Sequence, residues 1–407
     1  MRIAIIGGGI GGLTAALALR QFGFEPTIFE QAPELLEVGA AILMWPNAMR
    51  ILHRLGLSEA VRQHGGPLEQ ALWLRHDGRQ LNRFQFRRTD EPAVALHRAD
   101  LQRLLTDALP PESICLDHAF ARFEAQPGEM VAHFANGYST ECDVLIGADG
   151  LHSRARTQLL NDGQPTDRGY IAWRGVAPYA PKSLPAASAI EIHGQGQRFG
   201  IGPLGFGKIG WWCSVNKTHE ILQTTTVSVR GMGPQESPED HATARERLTQ
   251  LFDGWCEPIN ELIQTTPLTS LVRNPVFDRA PVRKWGAGSL TLLGDAIHPL
   301  TPNLGQGGCL AIEDAVVLAR CLQKYASNAQ NEKRAGAIQS ALRRFEALRF
   351  SRTATVARFS RLYGVVGQWE NPTTVAMRGW LLSAVPAGLV QRLLRWTFDY
   401  DAYGVAI

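Results

Sequence analysis

Three runs of glycine and aspartate carry the residues of this chain whose types and spacing could do chemistry. The first, Gly7-Gly8-Gly9-Ile10-Gly11-Gly12, satisfies G-x-G-x-x-G, and Glu30 stands at the end of the next apolar run. Glycine lets a backbone approach a pyrophosphate closely, and a helix N-terminus adds unpaired N–H groups and a positive dipole. An acid about 20 residues further on accepts a hydrogen bond from a ribose hydroxyl. Gly9, Gly11, Gly12 and Glu30 are therefore candidate dinucleotide ligands; a plain structural glycine turn is the alternative. This run alone does not separate FAD from NAD. The second run, Asp143-Val-Leu-Ile-Gly-Ala-Asp149-Gly150, delivers a carboxylate and a flexible residue at the end of an apolar segment, where a ligand crevice or an ordinary strand-to-helix turn would use them. The third couples Gly294-Asp295 to Gly305-Gln306-Gly307-Gly308. Its glycines free consecutive N–H groups to converge on one acceptor, and the following helix adds its positive end. A reduced flavin carries negative charge near N1 and the C2 carbonyl, which this arrangement suits. His298, between Ile297 and Pro299, reads either as a base or as part of a structural turn.

The elements that must hold these runs alternate. Residues 2–6 read as an apolar strand, 11–22 as a helix and 25–29 as a second strand, a βαβ unit with a parallel sheet and a right-handed crossover. An irregular segment at 38–47 precedes a helix at 48–55, and a further helix at 98–109 stops at Pro110-Pro111. Residues 119–134 and 143–146 read as strands. From 170 to 212 the pattern becomes β-rich and concentrates Trp173, Phe199, Phe206, Trp211 and Trp212, as wall or as core of an antiparallel sheet. A helical patch at 242–253 closes that region. A strand at 290–293 leads into the third run, a helix follows from near Gly308 to Cys321, and after Ala335 the chain is helical to Phe398, broken at Asn371-Pro372 and Pro386.

Composition narrows the class. With 45% hydrophobic residues in 407, the chain can bury two or three cores. Lys+Arg 41 against Asp+Glu 38 gives a net charge of +3, which supports no nucleic-acid partner. The six cysteines form no C-x-x-C pair, so neither a metal site nor a disulfide framework is expected, and a reducing cytoplasm fits. No run approaches the ~18 apolar residues of a spanning helix. Residues 377–398 mix Leu, Val and Trp with arginines and read as a packed helical cap or as a weak peripheral membrane contact.

The three runs, in this order, resemble those of the class A flavoprotein aromatic hydroxylases, with the urate hydroxylase, alkylquinolone monooxygenase and zeaxanthin epoxidase branches nearest. The resemblance extends from Met1 to about Arg361 and includes Val38-Gly39-Ala40-Ala41-Ile42, His97-Arg98-Ala99-Asp100-Leu101, Ala172-Trp173-Arg174-Gly175 and His193-Gly194-Gln195-Gly196-Gln197-Arg198. It implies an α/β fold: a Rossmann-like FAD-binding domain of the glutathione-reductase type, an antiparallel β-sheet substrate domain and C-terminal helices. The expected division is 1–165 (with an excursion to the substrate domain near 68–95), 166–283, 284–365 and 366–407.

The resemblance also implies roles. Gly9, Gly11, Gly12, Glu30 and Gln31 would hold the ADP half of FAD, and Phe120 would meet adenine through its backbone. Ala41, Arg98 and Asp295 would line the middle of the cofactor, and Gly305, Gln306, Gly307 and Gly308 the isoalloxazine. Asp149 would serve FAD and transient NAD(P)H. Arg198 would be catalytic, binding substrate as in the urate branch, although Gly210 stands where that branch has a tyrosine. NAD(P)H and O2 would be co-substrates, and oxygen would pass from a C4a-hydroperoxyflavin to a phenolic or N-heteroaromatic ring, quinolone-like because residues 362–385 resemble the alkylquinolone branch. Epoxidation of a lipophilic alkene and a non-oxygenating redox sensor are the alternatives. The expected assembly is a monomer or homodimer.

Overall fold

The computed structural model describes residues 1–35, 40–86, 91–126, 128–219, 238–327 and 331–407, so Val38 and Gly39 lie outside the described residues. Ile3–Ile6 forms a fully buried strand, as a run of β-branched and small apolar residues should when both faces are covered. It pairs in parallel with Pro26–Phe29 on one side and Val144–Gly147 on the other, and Val144–Gly147 pairs in parallel with Leu290–Leu292. Ile114–Cys115 and the antiparallel Gly286–Ala287 complete six strands. The helices Ile10–Gln21 and Gly307–Ala326 pack together against this sheet. Ala15, Ala16 and Ala18 of the first are wholly buried, and their small side chains permit that close approach. A three-stranded antiparallel sheet of Phe120–Gln126, Glu129–Phe134 and Ser139–Cys142 lies beside it.

The second large sheet has seven strands, in the order Val272–Asp278, Thr166–Ala177, Ile209–Asn216, Gln197–Pro203, Ser188–His193, Gln70–Arg75 and Gln80–Gln85. Its neighbours are antiparallel except Ser188–His193 with Gln70–Arg75, which run parallel. Side chains alternate between its faces. Trp173, Phe199, Trp211 and Cys213 form a core with Phe252, Ile259 and Leu262, under the helices Pro238–Leu251 and Ile259–Thr265. Their register neighbours Arg174, Trp212, Ser214 and Arg198 face the other way. The aromatics of 170–212 thus divide: Trp173 and Trp211 are core, and Trp212 is not.

Within the segment read as irregular at 38–47, the described residues correct to ordered elements. Ala41–Met44 is a strand, antiparallel to Ala93–His97, which in turn pairs with Gly65–Leu68; the last part of the 68–95 excursion therefore belongs to this small sheet. The next helix is Pro46–Arg54 and starts two residues before the expected position. Proline's fixed φ suits the first helical turn, where its missing N–H costs nothing.

The C-terminal helices are Asn331–Gly367, Pro372–Ala384 and Ala387–Phe398. Asn82 donates to the carbonyls of Leu382 and Val385 at 2.8 and 2.9 Å, tying them to the edge strand Gln80–Gln85. Phe398 stacks on Trp45 at 4.1 Å between centroids.

Candidate functional site

All three chemistry-bearing runs leave the carboxyl ends of adjacent parallel strands. Gly7 follows Ile3–Ile6, Asp149 follows Val144–Gly147, Asp295 follows Leu290–Leu292, and Glu30 follows Pro26–Phe29. In open parallel sheets the ligand crevice lies there. Glu30 accepts from the amides of Gly8 at 2.6 Å and Ala32 at 3.0 Å, which fixes its carboxylate against the glycine turn; Gln31 beside it is exposed. The chain at His118 lies against Glu30, donating its amide to the Glu30 carbonyl at 2.8 Å, and brings buried Phe120 to the same end of the sheet. Close approach is enforced at Gly12, where a Cβ would collide with the Gly7 carbonyl, whereas Gly9 has open space in front of it.

Arg98 and Ala41 join from the small sheet. The Arg98 amide donates to the Ala40 carbonyl at 2.9 Å, and its helix, Arg98–Asp107, sends Gln102 to the Gly8 carbonyl at 3.1 Å. The charge of Arg98 reaches Asp295. That carboxylate is solvent-accessible yet hemmed in by protein, the signature of a cleft wall, and this desolvation pushes its pKa up. A Cβ on Gly307 would come within 3.8 Å of Asp295 Oδ1, so the two halves of the third run face one cleft. Gly305 is left-handed (φ 60°), and its missing side chain leaves room for Leu43 and Trp45; Gly308 does the same for Ile42. Gly305, Gly307 and Gly308 are partly accessible, and Gln306 is buried at the N-cap of Gly307–Ala326. The first N–H groups of that helix have no intrahelical partner.

The residues fit FAD. A crevice across several strand ends, an open backbone at Gly9, a glycine loop beneath a helix N-terminus and the partnerless buried atoms Asp149 Oδ1, Gln306 Nε2 and Trp45 Nε1 are what a long, polar cofactor would complete. The second Asp149 oxygen caps the helix Arg154–Leu160 through the amides of Arg154 (2.8 Å) and Ala155 (3.2 Å), and burial raises the carboxyl's pKa.

A buried charge cluster underlies the loop, and sequence reasoning did not reveal it. Glu313 and Asp314 are fully buried; Arg349 donates to both, at 2.7 and 2.6 Å, and Arg352 donates to Glu313 at 2.9 Å. Asn47 links Glu313 (2.6 Å) to Gln306 (3.0 Å). Asp314 also accepts from the Gly294 amide at 3.1 Å and pairs with His298 at 2.5 Å. Burial pushes the Asp314 carboxyl up, but His298 and Arg349 outweigh it and hold it below the usual range. Of the two readings of His298, its place in this cluster favours the structural turn. Arg156, in the helix Arg154–Leu160 that follows the second run, donates to the Ile297 carbonyl at 2.6 Å and so braces the third.

The seven-stranded sheet faces the same region. Arg198 is completely buried, and each of its nitrogens is engaged: Nε with Gln368 at 2.9 Å, Nη1 with Glu191 at 3.0 Å and Nη2 with Asn303 at 2.6 Å. Its guanidinium lies between the rings of Trp212 and Tyr363. Asn303 sits in the turn Pro302–Leu304, immediately before Gly305. Arg174 differs: it makes one hydrogen bond, to Asn274 at 3.2 Å, and pairs with no carboxylate among the described residues. Desolvation lowers its pKa. Glu191 was missed by sequence reasoning because it is a single polar residue in no motif, whereas Asn303 lay between the halves of the third run, Tyr363 and Gln368 in the 362–385 stretch and Arg174 in Ala172-Trp173-Arg174-Gly175, each without a role.

Comparison with known proteins agrees with this geometry. A family model described as "FAD binding domain" matches residues 1–344. The aurachin C monooxygenase/isomerase of Stigmatella aurantiaca is 36% identical over 404 residues, with 98% of each chain covered. The 6-hydroxynicotinate 3-monooxygenase of Pseudomonas fluorescens is 32% identical, covering all of this chain and 96% of its own. Among solved structures, Klebsiella pneumoniae HpxO complexed with FAD and uric acid superposes with a TM-score of 0.85 at 28% identity, over 99% of this chain and 98% of that one.

Proposed function

From a chain that belongs to the FAD binding domain family and is an FAD-dependent monooxygenase, we propose an enzyme that uses NAD(P)H and O2 to hydroxylate a phenolic or N-heteroaromatic substrate. The observation that carries this reading is the convergence of the Glu30, Gly7, Asp149 and Asp295 strand ends with the Gly305–Gly308 loop, opposite a sheet face bearing Arg174, Trp212 and Arg198. The names of the relatives, a monooxygenase/isomerase of aurachin C and a 3-monooxygenase of 6-hydroxynicotinate, support an N-heteroaromatic.

Bound FAD would supply the electron transfer from NAD(P)H and the activation of O2. Gly9, Gly11, Gly12, Glu30, Gln31 and the Phe120 backbone would hold its ADP end, and Ala41, Arg98, Asp149 and Asp295 would line its middle. The amides of Gly305 to Gly308 would hold the ring end, where a helix N-terminus favours negative charge. The chain's division at 165, 283 and 365 places the cofactor residues in the first and third parts and the substrate-facing sheet mostly in the second. Arg198 borders the substrate region as a positioning residue that ties the sheet to the turn before Gly305. Arg174, a cation with one hydrogen bond and no acidic partner among the described residues, favours a substrate carrying an oxyanion or carbonyl.

The test is NAD(P)H consumption by the purified holoprotein against 4-hydroxyquinolines, hydroxypyridines, phenols and purines, with 18O2 incorporation followed by mass spectrometry. Acceleration by an N-heteroaromatic with one labelled oxygen in the product is expected. Failure of every compound to accelerate NAD(P)H oxidation or acquire label would sink the proposal.

A further inference from the structure

The end of the Asn331–Gly367 helix has two unlike faces. Tyr363, Gln368 just beyond it and Ser360 turn inwards, to Glu191, Arg198 and Thr301. On the outer face Phe359, Leu362 and Val365 are 51%, 57% and 57% exposed. The two following helices also expose large apolar side chains, Trp380 at 68%, Leu381 at 41% and Trp396 at 45%. The ring of Trp396 meets that of Phe359, centroids 6.0 Å apart, so the longest and last helices share one apolar face. The exposed positions of Pro372–Ala384 are Thr, Ala, Met, Trp, Leu, Ser and Pro, with no charge among them. Folded proteins rarely leave so much apolar surface together unless something covers it.

The charges around this face are one-sided. Between Arg352 and Phe398 the chain has six arginines, no lysine and a single acid, Glu370. Arg358, Arg392 and Arg395 are exposed and form no ion pair among the described residues. A protein partner would have to match both an apolar stripe and unpaired arginines, and an anionic bilayer does so without specific pairing: tryptophan settles at the headgroup level and arginine meets phosphate. No helix of the described residues is long and apolar enough to cross a membrane, so the contact is one of lying on the surface.

We propose that the C-terminal helices dock this protein on an anionic lipid surface, with Trp380, Leu381, Leu362 and Phe359 in the headgroup–acyl boundary and Arg358, Arg392 and Arg395 against the headgroups. The docked face is the back of the helix whose inner face holds Glu191 and Arg198, so an apolar aromatic dissolved in the bilayer meets the enzyme beside its substrate region.

The test is co-sedimentation of the full-length holoprotein with sucrose-loaded vesicles of phosphatidylcholine alone or mixed equally with phosphatidylglycerol. Binding is expected to the mixed vesicles, at least about tenfold weaker to the neutral ones and lost in high salt, with a blue shift of tryptophan emission. Trp380→Ser should weaken it. The triple variant Arg358→Gln, Arg392→Gln, Arg395→Gln should lower the partition coefficient on the order of 100-fold, at about fivefold per arginine. Both variants change exposed side chains, and an unaltered FAD-to-protein ratio checks their fold. Equal binding by the triple variant, or none by the FAD-loaded wild type, overturns the proposal. So does a dimer in light scattering that Trp380→Ser dissociates without any vesicle binding, because a second copy would then cover the face.

Discussion

Replacing Arg198 by Met removes a buried charge from a site where every nitrogen is engaged. Among the described residues Glu191 would keep the hydrogen bond from the Tyr363 hydroxyl at 2.8 Å, with the His193 ring 3.9 Å away and 16% of its side chain exposed to compensate. Breaking a buried pair on one side costs about 3–5 kcal/mol, and this residual exposure places the cost near the lower end. Asn303 Oδ1 loses its 2.6 Å donor, worth about 1 kcal/mol more, while Gln368 keeps Ser214, Asn216 and the Gly196 carbonyl. The expected loss is about 4 kcal/mol. In the double variant Glu191→Gln, Arg198→Met no charge is stranded, and about 2 kcal/mol should return. Urea midpoints of the wild type, both single variants and the double variant form the cycle. FAD should remain bound in Arg198→Met, while the fraction of NAD(P)H oxidation yielding product falls, because the turn Pro302–Leu304 loses its anchor. The positioning argument fails if Arg198→Met costs under about 1 kcal/mol, or if the two single effects simply add.

Two further outcomes follow from the same face of the sheet. Arg174→Gln should raise KM for ring substrates bearing a hydroxyl or carbonyl by at least about tenfold and leave that for their O-methyl ethers nearly unchanged, with FAD content intact; equal effects on both would remove Arg174 from substrate recognition. Burial holds the pKa of His193 at about 4, against 6.5 for the free side chain, with Glu191 opposing and Arg378 and Arg198 reinforcing. Its folded pKa is depressed, so the unfolded chain takes up the proton first as pH falls. About 3 kcal/mol of stability, fully present above pH 6.5, is lost progressively towards pH 4. His193→Gln should flatten that part of the stability profile measured by urea titration, and an unchanged slope would contradict the buried neutral imidazole.

Much of the cofactor side was legible because its chemistry is local in sequence. A glycine turn, an acid after the next strand and a glycine loop before a helix each announce themselves within a dozen or so residues, and parallel pairing then places their ends side by side. The strand Ala41–Met44 was not legible: four apolar residues beside glycines carry no period, and only pairing with Ala93–His97 makes them a strand. The supports were hidden for a different reason. Glu313 and Asp314 sit in a helix that otherwise reads as apolar, and nothing local says that Arg349 and Arg352, a helix away, neutralise them.

Those supports share one element, and that explains an oddity of composition. From Arg349 to Gly367 the Asn331–Gly367 helix runs about 27 Å, at 1.5 Å per residue. At one end Arg349 and Arg352 fix the acids beneath the Gly305–Gly308 loop; midway Ser360 holds the Thr301 carbonyl at 2.6 Å; at the far end Tyr363 bonds Glu191. One rigid beam therefore sets the spacing between the cofactor loop and the substrate-facing sheet. Gly364 and Gly367 in its last turn each cost about 1 kcal/mol of helix propensity. Their positions show why that cost is borne. A Cβ on Gly364 would fall inside contact distance of Asn303 Nδ2, and one on Gly367 would lie 2.7 Å from Arg198 Nε. Asn303 cannot yield, being held by Arg198, by Tyr170 and by the Ser360 carbonyl. Ser360, Gly364 and Gly367, spaced four and three residues apart on one helix face, thus describe a single constraint: the helix must come close enough for its backbone to touch the pair that joins the sheet to the glycine loop.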